Sequence, residues 1–198
     1  MGELKAFHVK DEIRILGIDD SALISDTITI VGAFFRGGLW LDGVLRSYIT
    51  KDGMDATDRI IEMVLRSKHS SQIRVIMLDG VTYGGFNPVD IVRLNGETDI
   101  PVVVLMRDIP DFEKIESALS FLSEKEERMD IIKKAGKIHK VITKDELNPV
   151  FIQCCGIEPE LAARVVKISS TRSNIPEPLR VAHLIATGVV LGESRGKA

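Results

Sequence analysis

Ile13–Ser21 reads I-R-I-L-G-I-D-D-S. A short apolar run that closes on two adjacent carboxylates is the pattern of a buried strand delivering acidic side chains at its C-terminal end. A second run, Ile73–Gly80 (I-R-V-I-M-L-D-G), has the same form and closes on Asp79. The expected strands are 13–19 and 73–78. Laid side by side and parallel, they would bring Asp19 and Asp79 together, so what connects them decides the fold.

Between them, Thr27–Arg36 (T-I-T-I-V-G-A-F-F-R) reads as a second strand that becomes continuously apolar. Gly37-Gly38 marks a tight turn, and Leu39–Thr50 follows as a third strand. Links this short imply antiparallel neighbours. A helix is expected over 55–68, with Asp55 as N-cap and Ile60, Ile61, Val64 and Leu65 on its apolar face. Asn87-Pro88 reads as cap and first position of a helix over 88–95. A strand at 102–106, helical structure over 111–136, short strands at 138–143 and 150–155, and helices over 158–169 and 178–191 complete the chain. A right-handed crossover returns strand 73–78 parallel to strand 13–19. The order is that of a ribonuclease H-like α/β fold: a mixed sheet of three antiparallel strands followed by parallel strands, with helices on both faces. A doubly wound sheet is disfavoured by the three hairpin-linked strands. No repeat or low-complexity linker interrupts the chain, and one domain over 1–198 is expected.

Composition narrows the function. The chain has 198 residues, 44% hydrophobic and 28% charged, with a formal net charge of −3. That balance argues against wholesale electrostatic capture of nucleic acid and leaves room for a local basic groove. Lys133, Lys134, Lys137, His139 and Lys140 form one positive cluster, either a solvated surface or a phosphate contact. Cys154 and Cys155 are adjacent, which excludes a cysteine zinc site and fits buried or half-buried free thiols in a reducing compartment. M-G-E-L-K-A has no apolar signal core, and Val181–Leu191 is shorter than the roughly 20 residues of a spanning helix. A cytoplasmic protein is expected. Gly192–Lys197 is a basic tail and not a phosphate loop, because three residues separate its glycines and no Ser or Thr follows.

The carboxylates carry the chemistry. Oxygen ligands favour Mg²⁺ or Mn²⁺ over zinc. Side chains alternate along a strand, so Asp20 points away from Asp19. Asp58 sits in a first helical turn and shares a face with Ile61 and Leu65, leaning toward the sheet, unless it serves only the helix dipole. His183 lies on the last helix with Leu179 and Ala186, as a metal ligand or general acid, or as a packed interface residue. Arg180, one turn from it, is a phosphate-binding candidate. Tyr48 and Tyr83 are stacking candidates, whereas Phe34, Phe35 and Trp40 read as core.

These residues carry a resemblance. L-G-I-D-D-S resembles the G-V-D-x-S first-strand motif of endonuclease V, and M-L-D-G its V-D-G motif. Tyr48-Ile49-Thr50 resembles the family's Y-I-P wedge, and I-P-E-P-L-R-V-A-H (175–183) its P-E-P-T-R-x-A-D segment. Through W-L-D-G-V-L, V-I-M-L-D-G and P-E-P-L-R-V-A-H-L-I-A the chain is closer still to an archaeal group, the domain-of-unknown-function family numbered 99. The resemblance implies a metal-dependent nuclease acting on single-stranded or damaged DNA or RNA at deaminated bases, chiefly inosine. It implies that Asp19 and Asp79 hold Mg²⁺ or Mn²⁺, that Asp58 stands for a helical glutamate and that Tyr48 is the wedge. The catalytic set is then Asp19, Asp58, Asp79 and His183, with Tyr48 and Arg180 on substrate. His183 replaces an aspartate, and Tyr83-Gly84-Gly85-Phe86 stands where the family has a histidine. Two alternatives stay open: a non-catalytic binding module for modified nucleic acid, and a hydrolase of a small phosphorylated molecule. Oligomeric state is open, a homodimer included.

Overall fold

The computed structural model describes residues 8–196. The chain runs β1 (Arg14–Asp20), β2 (Thr27–Arg36), β3 (Trp40–Thr50), α1 (Ala56–Leu65), β4 (Val75–Asp79), β5 (Thr82–Tyr83), β6 (Asn87–Pro88) and α2 (Ile91–Thr98). It continues with β7 (Val102–Met106), α3 (Phe112–Leu119), α4 (Lys125–Lys134), β8 (His139–Val141), β9 (Val150–Cys155), α5 (Pro159–Ser169) and α6 (Glu177–Leu191). Seven strands form one sheet in the order β3-β2-β1-β4-β7-β9-β8. β1, β2 and β3 are antiparallel, β4 joins β1 in parallel, β7 joins β4 in parallel, and β9 and β8 add antiparallel. The expected crossover therefore holds, and the sheet is mixed and ribonuclease H-like.

Alternation along the central strands builds two cores. Leu16, Ile18, Ile76, Leu78, Val102 and Val104 face α1 and α2. Ile15, Val75, Met77, Val103 and Leu105 face α5 and the start of α6. α6 crosses β1 and β2. It comes close because residue 17 is glycine: a Cβ there would stand 2.6 Å from both Cβ and O of Pro178 and would also clash with its carbonyl carbon.

Several local expectations are corrected. α2 begins three residues later than expected, because Asp90 caps it by accepting from the amides of Val92 and Arg93. Asn87 is instead spent on tertiary structure. Its Oδ1 accepts from the Ala56 amide at 2.9 Å and so caps α1, while its Nδ2 donates to Thr50 O and Asp55. Asp55 holds the cap position of α1, but its carboxylate accepts from Thr50 rather than from the helix. The 111–136 segment is two helices, parted by Glu124 in left-handed backbone. Trp40, expected in the core, is 57% exposed on the edge strand β3. Both thiols are half-buried and free. No helix among the described residues is long and apolar enough to cross a membrane.

Candidate active site

β1 and β4 pair in parallel with Ile18 opposite Leu78, so Asp19 and Asp79 are next in register at the strand ends. Neighbouring strands lie about 4.8 Å apart, and both residues project to the α6 face. Asp79 shares that face with Met77, and Asp19 shares it with Ile15. The sequence order alone dictated this meeting, and the structure brings the two carboxylates together.

α6 adds His183. From the Gly17–Pro178 contact, Asp19 is two residues up the strand, about 6.6 Å. His183 is five residues up the helix, about 7.5 Å. The two advances match, and His183 Nδ1 lies 2.8 Å from Asp19 Oδ2. Its Nε2 lies 3.1 Å from the carbonyl oxygen of Arg195. With Asp19 ionised, a ring that serves both oxygens donates from both nitrogens as the imidazolium; with Asp19 protonated, the acid can donate to Nδ1 while Nε2–H donates to the carbonyl. The bond to Asp19 accordingly raises the His183 pKa above its ordinary 6.5. Asp19, 5% exposed, is pushed from 3.8 to about 7 by burial, opposed by His183 and reinforced by the Asp79 and Asp20 charges.

Two details about the carboxylates went beyond the sequence. Asp20 does point away from Asp19, and its Oδ2 accepts from the Gly84 amide at 2.5 Å. That loop is held rigidly. The Asp52 amide donates to Gly84 O, Asp52 Oδ1 accepts from the Phe86 amide, and the buried Arg128 donates to Phe86 O and Gly53 O. Burial raises the Asp20 pKa as well. The second detail is Arg107, immediately after β7. It forks onto Asp79 with contacts of 2.8 and 3.1 Å. It was missed although its signal was available: it is the first charge after the apolar run 102–106, at the end of the strand beside Asp79. Asp19, Asp20, Asp79, Arg107, His183 and the Arg195 backbone line one open cleft of about 500 Å³.

Tyr83 does something other than stack. It is 1% exposed, and its hydroxyl donates to Ile18 O at 2.9 Å while accepting from the Asp79 amide at 3.0 Å. It staples the ends of β1 and β4 just where the two carboxylates emerge.

The structure does not bring Asp58 to this site. Its side chain is 58% exposed and paired to Arg93 of α2 at 2.5 Å. The buried face of α1 is centred on Thr57, Ile60 and Val64, so Asp58 and Leu65 flank it on the solvent side. Arg180 is also engaged elsewhere, forked onto the buried Glu177 one turn back. Tyr48 is 45% exposed on β3, with Arg46 over its ring at 5.0 Å from the centroid.

Two carboxylates at adjacent strand ends, Asp19 and Asp79, suit a hard divalent cation in donor chemistry. Their mutual repulsion, visible at Asp19, is what such an ion would relieve. In the present side-chain arrangement, no three His, Cys, Asp or Glu residues among those described form a metal-holding group. Asp79 gives both oxygens to Arg107.

A mixed sheet with antiparallel β1–β3 and parallel β4 and β7 defines a ribonuclease H-like fold, the one seen in endonuclease V. The Ciona intestinalis endonuclease V crystallised with inosine-containing DNA shares the fold, at a TM-score of 0.60 and 15% identity, over 90% of this chain and 86% of its own. The chain belongs to the Endonuclease dU family, whose model matches residues 11–190. A UPF0215 protein of Methanosarcina mazei is 62% identical over 192 residues, 97% of this chain and 98% of its own. A crystal structure of an Archaeoglobus fulgidus protein matches at a TM-score of 0.81 and 44% identity, covering 89% of this chain and 97% of that one.

Proposed function

We propose that this chain is a divalent-metal-dependent endonuclease that hydrolyses a phosphodiester beside a deaminated base in DNA, with deoxyuridine, the nucleoside in its family's description, as the first substrate to test. The observation that carries the reading is the pairing of Asp19 and Asp79 at the ends of β1 and β4 in an open cleft. Asp19 and Asp79 would hold Mg²⁺ or Mn²⁺, which when bound supplies a polarised phosphate and a more acidic water. His183, fixed through Nδ1 by Asp19, would turn the Nε2 proton it now shares with the Arg195 carbonyl over to the leaving oxygen. The open cleft favours a strand over a small molecule. The exposed Tyr48 would support a base drawn out of its stack.

The test is incubation of single- and double-stranded oligonucleotides carrying deoxyuridine, inosine or neither, in Mg²⁺, Mn²⁺ or EDTA. Cleavage should require both the metal and the deaminated base, and should vanish in Asp79→Asn and Asp19→Asn. Cutting that persists in EDTA or in Asp79→Asn would overturn the assignment. A second reading, a binding module without turnover, draws on the engagement of Asp79 by Arg107 and Asp19 by His183. It is distinguished by tight binding of the deoxyuridine strand without scission.

A further inference from the structure

Arg107 stands where it can control the site. Its guanidinium meets Asp79 through two roughly parallel contacts, Nη1 to Oδ1 at 2.8 Å and Nη2 to Oδ2 at 3.1 Å. This is the bidentate geometry in which arginine binds carboxylate most selectively. Both Asp79 oxygens are thereby engaged. Asp79 is 10% exposed and turned inward, whereas the Arg107 side chain is 40% exposed at the cleft wall. The pair is therefore asymmetric: Asp79 is held at the strand end by sheet register and the Tyr83 staple, and Arg107 is a long side chain with a way out to solvent.

Resting on the metal-site reading above, we infer that Arg107 is a resident counter-ion which competes with a divalent cation for Asp79, so that metal uptake requires the guanidinium to swing away. The fork occupies one lone pair on each oxygen of Asp79 and sets a positive charge against both, so an ion binds there strongly only once the guanidinium has left. The charge of Asp19 adds to that of Asp79 in holding the guanidinium at the strand ends. Arg107 is a positioning residue on this reading. It decides when Asp79 is available and leaves the reaction itself to other groups.

The experiment is calorimetric titration of Mn²⁺ into the full chain at fixed ionic strength, for wild type, Arg107→Ala, Arg107→Lys and Asp79→Asn. Thermal melts check that each variant is folded. Losing the fork and its charge-assisted bonds should tighten Mn²⁺ binding about tenfold in Arg107→Ala. Arg107→Lys keeps the charge and loses the fork, and should tighten binding to an intermediate extent, about threefold. Asp79→Asn should weaken binding, and Arg107→Ala added to it should restore nothing. Equal affinities in wild type and Arg107→Ala would overturn the inference. So would tightening in Arg107→Ala with Arg107→Lys unchanged, which would mean simple charge repulsion. Absence of Mn²⁺ binding in every variant would overturn the metal reading and this inference together. Tightening without cleavage of any deaminated strand would remove the nuclease proposal and leave the role of Arg107 standing.

Discussion

Gly17→Ala tests whether the close approach of α6 to β1 sets the geometry of the site. The added Cβ would lie 2.6 Å from Cβ and O of Pro178. Ordinary carbon contacts are about 3.5–4.0 Å, so α6 must retreat by roughly 1 Å. The obstruction is the backbone and ring of a helix start, which no rotamer change relieves. The cost should sit at the upper end of overpacking, about 3 kcal/mol. Removing a glycine from the unfolded ensemble returns about 0.5–1 kcal/mol. The net loss is about 2 kcal/mol, read by urea unfolding. The same retreat would stretch the 2.8 Å bond from His183 to Asp19 beyond hydrogen-bonding range. The His183 pKa should then fall back toward 6.5, read by NMR titration of its ring proton. Gly32→Ala is the comparator, because its Cβ would meet side chains and no backbone, Leu16 Cδ1 at 3.0 Å, Leu45 Cβ at 3.4 Å and Met63 Cε at 3.5 Å. A Gly17→Ala protein with wild-type stability and an unmoved His183 titration would refute the account.

Three further outcomes follow from the same geometry. Asp19 has a folded value of about 7 against 3.8, so the fold favours its protonated form. The stability this gives is full below pH 3.8 and is lost as pH rises through 7, at most on the order of 4 kcal/mol, and Asp19→Asn should flatten that slope in denaturation measured in EDTA. Tyr83→Phe leaves Ile18 O and the Asp79 amide without their buried partner. It should cost about 3 kcal/mol in urea unfolding, and a loss under about 1 kcal/mol would show that the staple is dispensable. Asp58→Ala removes one exposed ion pair, and should change stability by no more than about 0.5 kcal/mol and any metal-dependent cleavage not at all. A tenfold fall in cleavage would return Asp58 to the site.

Strands were legible because apolar runs end sharply. Thr27–Arg36, Val102–Met106 and Val150–Cys155 occupy the expected bounds. Helix starts were harder, because cap residues compete. Asn87 and Asp90 are both good caps, and the choice between them turned on Asn87 being drawn 31 residues away to Ala56. The Asp19–Asp79 pairing followed from strand order and register, which are properties of a local pattern plus one crossover rule. Asp58 failed because reading a helical face as 58, 61 and 65 rather than 57, 60 and 64 rotates it toward solvent, and its partner Arg93 is remote in sequence. The residue-by-residue reading offered His183 as a ligand or acid and equally as a packed residue. Its partner lies 164 residues away, so the functional alternative set it near the carboxylates without naming Asp19 as its partner.

The partners of the three carboxylates separate their roles. An unpaired buried charge costs several kcal/mol, so each needs a neutralising or hydrogen-bonding group. Asp20 takes a backbone amide, Gly84 N, in a loop fixed by Asp52 and Arg128. That amide cannot rotate away, so Asp20 is committed to holding β1 against the loop. Asp19 and Asp79 take the side chains of His183 and Arg107, which turn about single bonds at the wall of the cleft. A ligand can replace a side-chain partner without unfolding anything, whereas replacing Gly84 N would require remaking the loop. The two carboxylates free to exchange partners are therefore the pair that parallel strands placed side by side, and the acidic doublet within Ile13–Ser21 divides into one residue whose partner can be exchanged and one whose partner is fixed by the loop.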